Sequence, residues 1–230
     1  MHVWLAALPD FRSRVPEIAA SLSSDELQRA TRFRFASHRE RFQLTRGLLR
    51  ILLGKYLDRD ARELEFTYGP HGKPALQTPG GDPLFHFNAS HSGDFAAFAV
   101  TRVASVGVDI EELRPNTECE QIARKHFIDA ELDELLALPP DERVRGFFNC
   151  WTRKEAFLKA RGDGVFGGLS TFQVSLSARY ARLVAVNGDA SQAAQWTMHE
   201  LPEFSIYVGA VAIRAPNLRL AFWKMQSDSI

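Results

Sequence analysis

Cysteine is scarce in this chain of 230 residues: there are two, Cys119 and Cys150, with no CxxC pair and no metal-ligand cluster. That excludes a disulfide scaffold and a thiolate zinc site, and it points to a reducing compartment. Long apolar runs are missing as well, so nothing approaches the roughly 20 residues of a membrane-spanning helix. The opening MHVWLAALPD puts no basic cluster before a short apolar stretch. No signal peptide is expected, and a cytoplasmic location is. An excess of one charge is also absent, because 28 Lys+Arg balance 28 Asp+Glu. No global field therefore favours nucleic acid or an anionic membrane, although a local basic pocket stays open.

What is present suits packed domains: 45% of residues are hydrophobic and 24% charged. Ser23 with Glu26 three residues on is a capping-box pattern that predicts a helix start. Ser37 with Glu40 repeats it and predicts a second helix, with Phe42, Thr45, Leu49, Leu52 and Tyr56 as its core-facing stripe. Arg39, Arg46 and Arg50 fall off that stripe. TYGPHGKPALQTPGGDP reads as loop or short hairpin, and FHFNASHSGDFAAFAVTRVASVGVDI as two or three strands. LDELLALPPDERVRGFFNCWTRKEAFLKARGDG predicts two helices parted at Pro139-Pro140, with Gly162 and Gly164 stopping the second. From about Leu169 the chain is mostly strand-like. A faint echo links DFAAFAVTR (94–102) with IYVGAVAIR (206–214), as in a duplicated unit.

The chemistry concentrates in GVDIEELRP (107–115). Val106, Val108 and Ile110 alternate with Asp109 and Glu111, so a strand buries the aliphatics on one face and projects both carboxylates from the other. Like charges this close repel unless a cation or a proton intervenes. The pair alone answers equally to a solvated strand end and to a hard-cation site, Mg²⁺ foremost. A third acid weighs in from FFNCWTRKEAFLK (147–159), where helical spacing puts Phe148, Trp151, Glu155 and Leu158 on one sector. Glu155 with Lys159 would be an ordinary surface pair if it lay opposite the aromatics. On the apolar sector it needs a partner, and a metal shared with Asp109 and Glu111 would supply one. Trp151, Phe147, Phe148 and Phe157 read as core, and Cys150 as a small buried hydrophobe. His86 and His91 lack the second ligand pair that a zinc site needs.

These residues resemble a known family. GVDIE followed by WTRKEAFLKA is similar to the signature pair of the 4′-phosphopantetheinyl transferases, and the chain resembles their surfactin-synthetase-activating subfamily. HGKP (71–74), FNASHSG (87–93) and TRGLLR (45–50) match in order and spacing, and the resemblance spans about residues 30 to 165. It implies an α+β fold, a pseudodimer of two similar halves. Each half would be a small antiparallel sheet with helices, with the ligand cleft between the halves. Residues 1–105 would form the N-terminal half, and 106–230 the C-terminal half carrying the acids.

The resemblance also implies the reaction. The 4′-phosphopantetheine arm of coenzyme A passes to a serine of an apo acyl or peptidyl carrier protein, and adenosine 3′,5′-bisphosphate is released. Asp109, Glu111 and Glu155 would hold Mg²⁺, with water completing the shell because Ile110 offers no oxygen. Glu155 would serve as base, directly or through water, and Lys159 would neutralise phosphate and leaving-group charge. Arg46, Lys73, Ser90, His91, Lys154 and Lys159 would contact coenzyme A, with Arg41 a further candidate. Some relatives carry more basic anchors in the first helical segment, where this chain has Glu26 and Arg29. The adenosine 3′-phosphate would then rest on Arg46, Lys73 and His91. The carrier would dock on the 115–145 region and apolar helix faces. A monomer is expected, since the pseudodimer already supplies both walls of the cleft. Two rival readings stay open, a Mg²⁺-dependent nucleotide phosphohydrolase and a non-catalytic coenzyme A or carrier-protein binder.

Overall fold

Alternation along each central strand and leucine spacing along one long helix together set the layers. The computed structural model describes residues 1–77, 85–163, 168–177, 180–202 and 206–229. The first part of the chain runs β1 (His2–Ala7), α1 (Val15–Ala19), α2 (Ser24–Thr31), α3 (Ala36–Leu57), β2 (Phe66–Tyr68), β3 (Pro74–Leu76), β4 (His86–Ser92) and β5 (Phe95–Thr101). The second runs β6 (Val106–Glu112), α4 (Cys119–His126), α5 (Asp129–Ala137), α6 (Arg143–Arg161), β7 (Phe172–Val174), β8 (Leu183–Val186), α7 (Ala190–Ala193), β9 (Thr197–Glu200), β10 (Tyr207–Ile213) and β11 (Ala221–Lys224).

The first capping box forms as expected: Glu26 accepts from the Ser23 backbone N–H at 3.1 Å at the start of α2. The second does not. Helix α3 begins at Ala36 behind Phe35 with no side-chain cap, and Glu40 instead accepts from Arg12 Nε at 3.1 Å. A charged partner brought up from the N-terminal segment outcompetes the local cap. The expected stripe on α3 also shifts. Leu49 and Leu52 are buried, but so are Leu44, Leu48, Leu53 and Arg50, while Phe42, Thr45 and Tyr56 are half-buried. The helix packs against both α1 and α2, so a wider sector than one stripe leaves water. Further on, α5 ends ahead of Pro139-Pro140, and α6 ends at Gly162, whose φ of 81° is left-handed and suits glycine. Gly164 lies outside the described residues.

Two sheets face each other. The first has strand order β11-β1-β5-β4 and the second β6-β10-β9. Strands β5 and β10, which carry the echoed segments, are interior in their respective sheets. Val3, Leu5, Ala97 and Ala99 of the first sheet pack against Val106, Val108, Ile110, Val211 and Ile213 of the second. The outer face of the first sheet, with Phe87, Phe98 and Val100, packs on α3 through Leu44, Leu48 and Leu52. The outer face of the second, with Ala210 and Ala212, packs on α6 through Phe147, Ala156 and Phe157. The result is helix, sheet, sheet, helix: an α+β chain in two halves, as expected. One strand crosses between them. β11 comes from the end of the chain and runs parallel to β1, with His2 opposite Ala221 and Leu5 opposite Lys224.

The sheets are also joined by polar side chains at one edge. Asn88 Oδ1 accepts from the Val108 N–H at 2.9 Å, and Ser92 Oγ accepts from the Glu112 N–H at 3.1 Å. Side chains of β4 thereby occupy hydrogen-bonding groups of β6 that no neighbouring strand takes in this sheet order.

Strand β6 lies directly on α6. A Cβ at Gly107 would sit 2.1 Å from the Ala156 carbonyl oxygen and 2.4 Å from the Ala160 nitrogen. Both neighbours are backbone and cannot swing away. Gly107→Ala is expected to push β6 and α6 apart. It should lower stability by about 3 kcal/mol and the melting temperature by roughly 6–12 °C, read by circular dichroism. An unchanged midpoint would show that the two backbones separate without loss.

Candidate active site

The face of β6 opposite Val106, Val108 and Ile110 carries Gly107, Asp109 and Glu111, and it is the face that α6 covers. Helix α6 turns Glu155 and Lys159, four residues apart, toward the same place. Asp109 is 4% exposed and Glu155 7%. Lys159 Nζ lies 2.6 Å from Asp109 Oδ1, and it donates to Ser90 Oγ at 3.0 Å and to the Val108 carbonyl at 3.3 Å. Ser90 Oγ donates to Asp109 Oδ1 at 2.8 Å. The other oxygen of Asp109, Oδ2, is buried without a partner, and so is Glu155 Oε1.

Burial without full pairing raises carboxyl pKa values. That of Glu155 is pushed up to about 7, first by burial and then by the charge of Asp109, against the pull of Lys159. Glu111 is also raised by burial, opposed by the hydrogen bond it accepts from Ser92 at 2.6 Å. Arg114 reaches the same Glu111 oxygen at 3.3 Å from an exposed position. The three acids thus share one field, and Asp109 and Glu111 both act on Glu155. Among the described residues no three acids, histidines or cysteines already converge as a finished metal cage. The donor set is nevertheless all hard oxygen, and its two orphaned buried oxygens are what a divalent cation would satisfy.

A cleft of about 280 Å³ opens beside these groups. Glu155, Leu158 and Lys159 of α6 form one wall; Asn88 and Ala89 of β4, with His71, Lys73 and Pro74 of the hairpin, form the other. The cleft therefore lies between the halves. Lys73 Nζ donates to Ser105 Oγ at 2.8 Å, the Val106 carbonyl at 2.9 Å and the Lys159 carbonyl at 2.6 Å. Burial lowers its pKa to about 8. As placed, it ties the β2–β3 hairpin to β6 and α6 at the cleft wall. His91 is exposed on β4, and its pKa is lowered by desolvation and by the nearby cations Lys159 and Arg41.

Other candidates land elsewhere. Lys154 needs correcting as a coenzyme A contact: it is 0% exposed and points into the core behind the site. Its ammonium lies 2.8 Å from Glu131 Oε2 of α5, also 0% exposed, and donates to the Leu169 and Phe172 carbonyls at 2.7 and 2.9 Å. The residue adjoining Glu155 thus leaves α6 on another side and clamps α5, the segment ahead of β7 and the first residue of β7. Arg46 is only 12% exposed and pairs with Glu26. Arg50 is buried and holds Glu26 at 2.5 Å as well as the Ala61 and Leu64 carbonyls. Arg41 reaches Asp94 at 3.4 Å. Trp151 is half-buried and stacks on Phe147 with centroids 5.9 Å apart. Cys150 is fully buried, and burial raises its thiol well above the usual range.

Asn88, Ser92 and Glu26 are the residues that sequence reasoning did not assign to the site or its support. A signal for the first two exists: Asn88, Ser90 and Ser92 alternate on one face of β4, an unusual polar row on a strand facing a core.

Comparison with known proteins agrees with this geometry. A profile described as 4′-phosphopantetheinyl transferase, N-terminal, matches residues 10–103. A second, for the 4′-phosphopantetheinyl transferase superfamily, matches residues 105–212. The 4′-phosphopantetheinyl transferase HetI of Nostoc sp. (strain PCC 7120) is 37% identical over 224 residues, covering 97% of this chain and 91% of the relative. The 4′-phosphopantetheinyl transferase psf-1 of Bacillus pumilus is 35% identical over 166 residues, 72% of this chain and 69% of the relative. The 4′-phosphopantetheinyl transferase Sfp of Bacillus subtilis (strain 168) is 30% identical over 155 residues, 67% and 66%. With its acids on β6 and α6 and both halves matched, the chain belongs to the 4′-phosphopantetheinyl transferase superfamily.

Proposed function

We propose that this chain transfers the 4′-phosphopantetheine arm of coenzyme A to a serine of an apo carrier protein. The observation that carries the reading is the pair of buried, unpartnered oxygens on Asp109 and Glu155, of which Glu155 lines the cleft. A structural site would not leave two desolvated acids short of partners. Asp109, Glu111 and Glu155 would hold Mg²⁺. When bound, that ion supplies positive charge against the pyrophosphate oxygens of coenzyme A.

The residues themselves divide the remaining work. Glu155 takes the proton of the carrier serine, whose oxygen then bonds to the phosphorus bearing pantetheine. The bond from that phosphorus to the adenosine-side phosphate breaks, and adenosine 3′,5′-bisphosphate leaves with the electron pair. Lys159 stands four residues along α6 from Glu155, where its ammonium offsets charge on the leaving group. Ser90 and Asp109 orient that ammonium through contacts of 3.0 and 2.6 Å. His91 and Lys73 flank the coenzyme. Such reactions are accelerated mainly by alignment and charge neutralisation, and acids on a strand and a helix are held more accurately than acids on loops.

The direct test incubates the protein with coenzyme A, Mg²⁺ and an apo carrier, then weighs the carrier by mass spectrometry. A gain of one phosphopantetheine arm is expected. Nucleotide release without carrier modification would indicate a phosphohydrolase, and no change in either a binder. Glu155→Gln is expected to lower the transfer rate by roughly 10²–10⁴-fold. Its melting temperature should hold or rise, because a neutral amide removes a desolvated charge. Full activity in that variant would end the assignment.

A pH dependence follows from the raised carboxyl. The pKa of Glu155 lies at about 7 in the folded chain against 4.5 as the ordinary value. Folding therefore takes up a proton between those limits, so stability from this group is present below pH 4.5 and lost as pH rises through about 7. In a chelator, the melting temperature of the wild type should decline over that window relative to Glu155→Gln. Millimolar Mg²⁺ should restore it at the upper end. Parallel curves for the two proteins would contradict the shift.

A further inference from the structure

A second opening, about 820 Å³ against about 280 Å³ for the catalytic cleft, lies at the outer edge of the β6-β10-β9 sheet. Strand β10 separates it from the acid-bearing β6. Leu183 and Val184 of β8 line one side, and Met198 and His199 of β9 another. The 217–220 segment lines a third.

Both strands are edges: among the described residues β8 pairs only with β7, and β9 only with β10. On β9 the open groups follow from the ladder. Leu201 donates its N–H to the Gly209 carbonyl at 2.8 Å, and His199 stands opposite Val211. Hydrogen-bonded and non-bonded pairs alternate along antiparallel strands. Thr197, His199 and Leu201 therefore turn their backbone groups to β10, and Met198 and Glu200 turn theirs outward. An open edge of this kind is a template for another strand.

The groove is apolar inside and basic at its rim. Ala193, Trp196 and Leu218 line it, as do the exposed Arg182, His199 and Arg219, and no Asp or Glu is among the lining residues. Glu200, the acid of β9, accepts from the Ala181 N–H at 2.9 Å. The 217–220 wall is anchored: Thr197 Oγ1 accepts from the Leu218 N–H at 3.1 Å, and the Met1 ammonium donates to the Arg219 carbonyl at 3.1 Å.

We propose that this groove docks an extended acidic peptide of a protein partner as an added strand on β9. Its backbone pairs with the outward groups of Met198 and Glu200, and its alternate side chains divide between the apolar interior and the arginines at the rim. Guanidinium–carboxylate contacts are charge-assisted and select acid over base at those positions. The anchored wall lowers the ordering cost of binding. Because β10 and β6 lie between the groove and the cleft, a docked peptide leaves the cleft open.

Fluorescence anisotropy with a labelled hexapeptide of alternating Glu and Val tests this. Wild type should bind it roughly tenfold or more tightly than the matching Lys and Val peptide. Arg182→Glu combined with Arg219→Glu should reverse that preference; both side chains are exposed, and circular dichroism checks the fold. Two further acidic peptides, N-methylated at every Val or at every Glu, each lose the N–H groups of one edge. One of the two should weaken roughly tenfold, since only one edge meets β9. Failure of wild type to bind the acidic peptide, equal binding of the two charge types, or indifference to the charge reversal would each overturn the proposal. Undiminished binding of both methylated peptides would also overturn it, leaving charge attraction without strand pairing. Self-association of wild type in sedimentation, abolished by the same reversal, would assign the groove to a second copy of this chain instead.

Discussion

Everything at the centre of this molecule depends on carboxylates taken out of water with too few cations to match. Asp109 has an ammonium and a hydroxyl on one oxygen and nothing on the other, and Glu155 keeps one buried oxygen bare. An isolated buried charge is expensive enough that a group usually takes up a proton instead, and the raised pKa of Glu155 is that response. The arrangement persists because strong packing enforces it. Val106, Val108 and Ile110 are locked between the sheets, and Gly107 lets the α6 backbone lie against β6. Hydrophobic burial on one face of the strand thus holds strained electrostatics on the other.

Part of this is legible in the amino-acid sequence. Alternation in VGVDIE assigns Asp109 and Glu111 to a face without knowledge of what covers it, because a strand has only two faces. Helical spacing puts Glu155 among apolar residues, and the structure keeps it 7% exposed beside Phe148 and Leu158. One residue earlier, the contact with coenzyme A that the resemblance implies for Lys154 meets a buried ion pair instead. A side chain next to the site residue on a helix faces a ligand or water only if that side of the helix is open, and α6 is buried nearly all round. Lys154 therefore meets Glu131 from α5 and two carbonyls from beyond the helix, partners that no local period reveals. Arg50 on α3 meets Glu26 for the same reason. The parallel pairing of β11 with β1 joins opposite ends of the chain, and only tertiary packing specifies it.

The two halves meet through chemistry that differs from the strand pairing within each sheet. Inside a sheet, backbone pairs with backbone. Between β4 and β6, the side chains of Asn88 and Ser92 take the place of a neighbouring strand and occupy the Val108 and Glu112 N–H groups. Ser90 lies between them and bonds Asp109. A row of short polar side chains therefore sets the register of the acid-bearing strand against the wall that carries His91. The polar alternation in FNASHS serves the join and the site at once, so neither role alone accounts for it.

Burial and charge by themselves do not separate scaffold from site here. The Glu131–Lys154 pair is as buried as any group in the chain, and Glu26 sits between two guanidiniums nearly as deep. In both, each carboxylate finds enough donors: Glu131 accepts from Lys154 and from the Val174 and Ile128 N–H groups, and Glu26 from Arg46, Arg50 and Ser23. Pairs completed in this way hold elements together and ask nothing of a ligand. Asp109 and Glu155 are buried to a similar degree and are not complete. The missing hydrogen bonds set them apart from the Glu131 and Glu26 pairs, although Thr45 Oγ1 and Asp163 Oδ2 are also buried without one. The two open carboxylate oxygens stand beside Lys159, apart from the completed Glu131 and Glu26 clusters, and the proposed transfer rests on that contrast.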